Sequence, residues 1–216
     1  RQAYRFMGRL LKPQNCHIFF QFYISKLMFL WQKKLISLEN EKVFLRLPNK
    51  SDYIPWVNLR NNNFSYLSCW EPDGALRKNS YSDFKIRVEW AKRGFKNKEV
   101  ISMLIFRKPT LDLVGSITLE NVKFGPFYSG YIGYWLGSEY YRQGLMSAAL
   151  GSVINFAVRN WKITKISAAT LPENTASINL LRKFNFSEEG IGRKYLKIKG
   201  NWRDHMIFSY LAPERK

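Results

Sequence analysis

Along this chain the spacing of apolar positions switches repeatedly between the two-residue period of a strand and the longer period of a helix. Lys42 to Leu47 reads as a strand. Ser51 then offers an N-cap for a helix with Ile54 and Val57 on one face, ended by the Asn61, Asn62, Asn63 cluster. Tyr81 to Gly94 sets Phe84, Val88 and Ala91 at helical spacing. Val100 to Phe106 predicts a strand, Pro109 a break, and Leu113 to Val122 the hairpin partner. Tyr131 to Leu136 is a further strand, 145 to 160 a helix, Lys165 to Leu171 a strand and Asn174 to Lys183 a helix. Two last strands, near 191 to 198 and 202 to 210, turn at Gly200 and Asn201. Strand runs and helices interleave, with no repeat or low-complexity tract, which predicts an α+β domain around one central sheet.

The first 40 residues follow a different rule. They carry seven Lys or Arg against one Glu, and an aromatic run from His17 to Trp31. Leu30 leads into Trp31, Gln32, Lys33 and Lys34 where a secretory signal needs small residues at a cleavage site. A spanning helix needs roughly 20 apolar residues, and Gln21, Ser25 and Lys26 interrupt a shorter run. Phe20, Tyr23, Ile24, Leu27 and Trp31 instead mark an amphipathic helix with basic flanks, packing on the domain or a partner, or lying on an anionic membrane. The expected organisation is a basic amphipathic extension over 1–40 and a single domain over 41–216, with no transmembrane segment.

Composition narrows the compartment and the partners. Cys16 and Cys69 are the only cysteines, too few for a disulfide framework, so a reducing, cytoplasmic setting is expected. His17 and His205, the only histidines, assemble neither a Ser/His triad nor a histidine-rich metal site, and no metal is expected. A net charge of +19 points to a polyanionic partner: nucleic acid, ribosome, anionic membrane or a phosphorylated cofactor.

The stretch Tyr131 to Trp161 separates these. A strand ends at Gly137, and a polar link leads through Arg142, Gln143 and Gly144 into a helix whose first turn, Leu145, Met146, Ser147 and Ala148, holds no carboxylate. Helix N-termini present free N–H groups and partial positive charge that Asp or Glu normally answers. Here that potential is unanswered. Gly144 admits an anion to the backbone, Ser147 adds a hydroxyl and Arg142 a charge, together a cradle for a diphosphate; a plain turn before a buried helix has the same outline.

Further along stand Leu171, Pro172, Glu173, Asn174, Thr175, Ala176, Ser177, then Leu180, Leu181 and Phe184, Asn185, Phe186. With Gly144, these resemble the signature of GNAT acetyltransferases, although Tyr141 and Met146 depart from the first and last positions of that family's cofactor loop. Asn185 stands where the family has glycine, and Asn is the next best residue for a left-handed helix terminus. Glu189, Gly190, Tyr195, Leu196, Gly200, Trp202, Arg203, Asp204 and His205, with Val114, Gly115, Asn121, Val122, Gly133 and Tyr134, look like the ribosomal-protein alanine N-acetyltransferases of the RimJ type. The resemblance covers about residues 42 to 212. It implies the GNAT fold: a central mixed, mostly antiparallel sheet, splayed at its middle between strands 131 to 136 and 165 to 171, flanked by helices, with the pantetheine arm of acetyl-CoA in the opening.

It also implies roles. Arg142, Gln143, Gly144, Leu145, Met146 and Ser147 are the expected cofactor loop, joined by Asn174 and Ser177 and by Tyr134, Trp135 and Leu136, whose N–H groups are candidates for the oxyanion donor. Trp70 and Glu71 fall in the loop that the family uses near the acceptor. Glu120 and Glu189 are candidate bases. The family's proton-donating Tyr is replaced by Leu181, so that role is vacant or has moved. The expected reaction is acetyl transfer to a protein N-terminus, of a ribosomal protein starting with Ala or Ser. Acetylation of a small-molecule amine and a silent ribosome- or RNA-binding module stand as alternatives, and the basic hairpin of Lys194, Lys197, Lys199 and Arg203 suggests a ribosomal RNA contact.

Overall fold

The computed structural model describes residues 36–75 and 78–213, and the helix expected between His17 and Trp31 lies outside them. Eight strands form one sheet: β1 (Ser37–Glu39), β2 (Val43–Arg46), β3 (Ile101–Arg107), β4 (Asp112–Lys123), β5 (Ser129–Leu136), β6 (Lys165–Thr170), β7 (Ser187–Ile198) and β8 (Asn201–Leu211). Their spatial order is β1-β2-β3-β4-β5-β6-β8-β7. Every neighbouring pair is antiparallel except β5 and β6, which run parallel. The helices are α1 (Tyr53–Asn62), α2 (Phe64–Leu67), α3 (Tyr81–Lys96), α4 (Leu145–Asn160) and α5 (Thr175–Lys183).

Local chemistry accounts for the helix starts. Ser80 accepts from the Asp83 N–H at 3.1 Å while Asp83 Oδ2 accepts from the Ser80 N–H, a reciprocal cap that begins α3. Ser80→Ala is expected to lower stability by about 1 kcal/mol, read as a shift of the urea midpoint with unchanged slope. Asn174 Oδ1 accepts from the Ser177 N–H at 3.1 Å and caps α5. The chain leaves that helix through Asn185 in the left-handed region, at φ 59°, as its amide side chain suggested.

The two faces of the sheet carry different helices. α4 and α5 cover one, where Leu150, Val153 and Leu181 are buried with Ile117, Leu119 and Ile132 of the sheet. On the other, α1 and α3 meet through Trp56 and Phe84, whose rings lie 4.9 Å apart. The sequence pattern assigned the inner face of α1 to Ile54 and Val57, but Ile54 is exposed and Trp56, Leu59 and Arg60 are buried. Its start differs too: Asn49 and Asp52, rather than Ser51, form the capping box of the preceding turn. Asp52 accepts two 2.6 Å hydrogen bonds from the Arg46 guanidinium, which rests on the Phe106 ring and ties α1 to β2.

One feature of the sheet positions the site. β5 and β6 pair only through Ser129–Lys165, Gly130–Ile166 and Tyr131–Ser167. Beyond these, β5 stays with β4 as far as Leu136 and β6 stays with β8 as far as Thr170. The sheet therefore opens toward the C-terminal ends of its two parallel strands.

Candidate active site

The opening exposes one edge of β5. The Gly137 N–H donates to Val114 O at 3.0 Å, and Trp135 O lies against Gly115, so these groups face β4. Alternation along the strand turns the N–H groups of Tyr134 and Leu136 the other way, into the gap. Side chains alternate across the sheet as well. Tyr134 points to the α4–α5 face, where its hydroxyl meets Ser177 Oγ at 3.0 Å. Trp135 points to the α1–α3 face, where the Arg60 guanidinium stacks 5.1 Å from its ring.

At the mouth of the gap the chain enters α4 through Gly144, at φ 75° and ψ 8°, with no side-chain cap and no acidic residue in the first turn. Glycine adopts that backbone without strain. Arg142 also holds a positive φ, 56°, uncommon outside glycine. The helix thus offers uncapped N–H groups and its positive end to whatever occupies the gap. Gln143 plays a different part: it does not line the cleft, and its side-chain amide donates to Glu139 O at 3.1 Å, shaping the loop.

Around the gap lies one cleft of about 1460 Å³ that reaches both faces. Tyr134, Trp135, Leu136, Arg142, Gly144, Leu145, Met146, Ser147, Asn174 and Ser177 line it, as do Trp70, Glu71 and Glu120. On the α1–α3 face its floor is Ser116, Thr118 and Glu120 of β4, set opposite Trp135, Gly133 and Tyr131 of β5. Glu71 is committed to Arg60 through hydrogen bonds of 3.1 and 2.7 Å, with side-chain exposures of 3% for Arg60 and 14% for Glu71. Burial lowers the pKa of the Arg87 guanidinium, Arg60 adds to the effect, and Glu71 and Glu120 oppose it. Among the described residues, no hydrogen bond or ion pair engages the Glu120 carboxylate.

Glu189 is not brought to the cleft. Its Oε1 accepts from Lys165 Nζ and Ser209 Oγ, both at 2.7 Å, and these bonds hold its carboxyl below the usual carboxylate range. A general base needs the opposite, a pKa raised toward the working pH. Glu189 therefore ties β7 to β6 and β8, away from the cleft. His205 is buried beneath the Tyr195 ring, with Nδ1 3.1 Å from Arg203 O. Leu181 is fully buried in the core and faces no acceptor.

The hydroxyl pair on the α4–α5 face is the component that the sequence pattern did not disclose. Burial pushes the Tyr134 phenol up to about 12, the bond to Ser177 partly offsetting it, so it stays protonated at any working pH. Neither residue announces the other, since 43 positions separate them.

Residues 42–187 match the acetyltransferase (GNAT) domain family, two thirds of the chain. The chain belongs to the GNAT acetyltransferase family. It is 28% identical to the ribosomal protein uS5-alanine N-acetyltransferase of Escherichia coli, over 83% of this chain and 92% of that one. Among solved structures it is similar to a ribosomal-protein alanine acetyltransferase from Vibrio fischeri, with 29% identity, a TM-score of 0.76, and 82% and 96% of the two chains covered. It is also similar to Mycobacterium smegmatis RimJ in complex with CoA-disulfide, with 26% identity, a TM-score of 0.74, and coverage of 82% and 87%. The residues around the parting of β5 and β6 suit a coenzyme A thioester: an acid-free, glycine-opened helix for phosphates and a free strand edge for amides.

Proposed function

We propose that this acetyltransferase carries the acetyl group of acetyl-CoA to the N-terminal α-amine of a protein, a ribosomal protein beginning with Ala or Ser. The observation that carries this reading is the single cleft running from Gly144 and Ser177, through the β5–β6 gap, to Glu120 on the opposite face. Similarity to alanine N-acetyltransferases supports this acceptor class. The reaction belongs with ribosomes in the cytoplasm, and among the described residues no helix is long and apolar enough to cross a membrane.

In this reading the N–H groups of Leu145, Met146 and Ser147, with Arg142, hold the diphosphate, and the free edge of β5 holds the pantetheine amides. Bound there, acetyl-CoA supplies an acyl group activated as a thioester. An α-amine of pKa about 8 is roughly a tenth neutral at pH 7, whereas a lysine amine near 10.4 is neutral only in a few parts per ten thousand. Glu120 needs only to orient the α-ammonium and accept its proton. The Tyr134 and Leu136 N–H groups donate to a carbonyl oxygen gaining negative charge. Ser177 Oγ and the Tyr134 hydroxyl, bonded to each other, take the proton-donor role that Leu181 cannot fill. Tyr134→Phe is expected to lower kcat by about tenfold, less than a full acid–base contribution of roughly 10²–10⁴ because Ser177 Oγ remains as a donor, without changing the Kd for CoA.

Trp70 and the Arg60-bound Glu71 form the acceptor entrance, Arg60 being set between the Trp56 and Trp135 rings. A ribosomal RNA contact through the last hairpin belongs to the same proposal. Arg203 is paired with Glu173 and Lys199 Nζ lies 3.2 Å from Cys69 Sγ, which leaves Lys194 and Lys197 for it. Labelled acetyl-CoA with Ala- or Ser-initiated ribosomal peptides, α-blocked lysine peptides and polyamines tests the reading. Label is expected on the free N-terminus. Label only on lysine side chains or small amines would refute it, and a protein with no saturable CoA binding would be a silent RNA-binding module instead.

A further inference from the structure

The turn between β1 and β2 brings a cation from a distant part of the sequence to the N-terminal end of α4, beside Gly144. Asn40 Oδ1 accepts from the N–H groups of Lys42 at 3.0 Å and Val43 at 3.1 Å, which fixes the turn. Asn40 Nδ2 donates to Ala148 O at 3.1 Å and Ser152 Oγ at 2.9 Å, which fastens the turn to the first turns of α4. Asn40 O accepts from Lys108 Nζ at 3.0 Å. The side chain of Lys42 leaves this clamped turn, and its Nζ stands 3.4 Å from Gln143 O. It also stands 2.9 Å from the place a Cβ on Gly144 would occupy.

That ammonium lies beside the positive end of a 16-residue helix whose first turn holds no acid. Arg142 adds a second cation. Among the described residues no carboxylate pairs with Lys42, and Glu139, which precedes the Arg142–Gly144 loop, accepts from Asn63 Nδ2. Positive charge gathered against a helix N-terminus is unfavourable unless an anion joins it. We propose that Lys42 is a ligand for the diphosphate of coenzyme A, and that Asn40 is the positioning residue that delivers it. The proposal rests on acetyl-CoA binding in the cleft. It adds to the Arg142–Ser147 loop a cation contributed by the other end of the domain.

Calorimetric titration of the full chain with CoA and with 3′-dephospho-CoA tests it. Lys42→Ala is expected to weaken both ligands by about tenfold, Lys42→Arg to stay within about threefold of wild type, and Lys162→Ala, a charge removed at the far end of α4, to change little. Asn40→Ala is expected to weaken binding as well, and the Asn40→Ala/Lys42→Ala double variant to be no weaker than Lys42→Ala alone, since both remove one contact. Equal effects of Lys42→Ala and Lys162→Ala would overturn the proposal. So would a Lys42→Ala loss seen with CoA but absent with 3′-dephospho-CoA, which would move the contact off the diphosphate. If wild type itself bound neither ligand, the cofactor reading would fall together with it.

Discussion

Gly144→Asp is expected to weaken CoA binding by roughly a hundredfold or more, while the protein remains folded. The new carboxylate would stand at the N-terminus of α4, where the uncapped N–H groups now await an anion, and like charges set side by side cost several kcal/mol. The fold should tolerate it, because the nearest obstacle to a Cβ is the Lys42 ammonium, the flexible end of an exposed side chain. The positive φ of 75° strains both Asp and Asn, the two side chains that accept it best. Gly144→Asn thus separates charge from backbone. It should lose no more than about tenfold in affinity, with the difference between the two variants measuring the electrostatic part by titration calorimetry. Equal losses would mean that this glycine serves backbone geometry alone.

Glu120→Gln is expected to lower kcat/KM for an N-terminal peptide by roughly a hundredfold near pH 7, within the range of general base contributions. Gln keeps the size and hydrogen-bonding reach of the side chain but accepts no proton. The deficit should shrink as pH rises through about 8, where the acceptor α-amine deprotonates in solution and needs no base. CoA affinity should not change, since Glu120 lies on the α1–α3 face, away from the proposed phosphate site at α4. A pH-independent deficit would assign Glu120 to acceptor binding alone. An unchanged rate would remove it from the site.

Much of this architecture was written in short-range pattern. Helix α4 occupies the residues its apolar spacing marked, and Phe84, Val88 and Ala91 are buried as their period required. The parting of β5 from β6 followed from family resemblance, since no local signal says where a strand loses its partner. Errors arose where tertiary partners override local preference. Arg60 is buried because Glu71 neutralises it and two tryptophan rings stack on it, so the inner face of α1 runs through a charged residue rather than through Ile54. β1 is three residues long and exists through pairing with β2, too short to show a period. The candidate catalytic groups were legible in the same measure. The helix at Gly144 could be read from the missing carboxylate, but Glu189 could not be separated from Glu120 until Lys165 and Ser209 were seen on it. The Tyr134–Ser177 pair and Lys42 are products of folding, each joining residues distant along the chain.

We propose that the opening between β5 and β6 holds the thioester arm and passes its acetyl group across the sheet to an α-amine. A crystal structure with CoA and an Ala-initiated acceptor peptide tests it most directly. Pantetheine amides are expected on the free edge of β5 beside Tyr134 and Leu136, phosphates on the N–H groups of Leu145 to Ser147, and the peptide N-terminus within reach of Glu120. Coenzyme A bound elsewhere, or a peptide entering from the α4–α5 face, would contradict it.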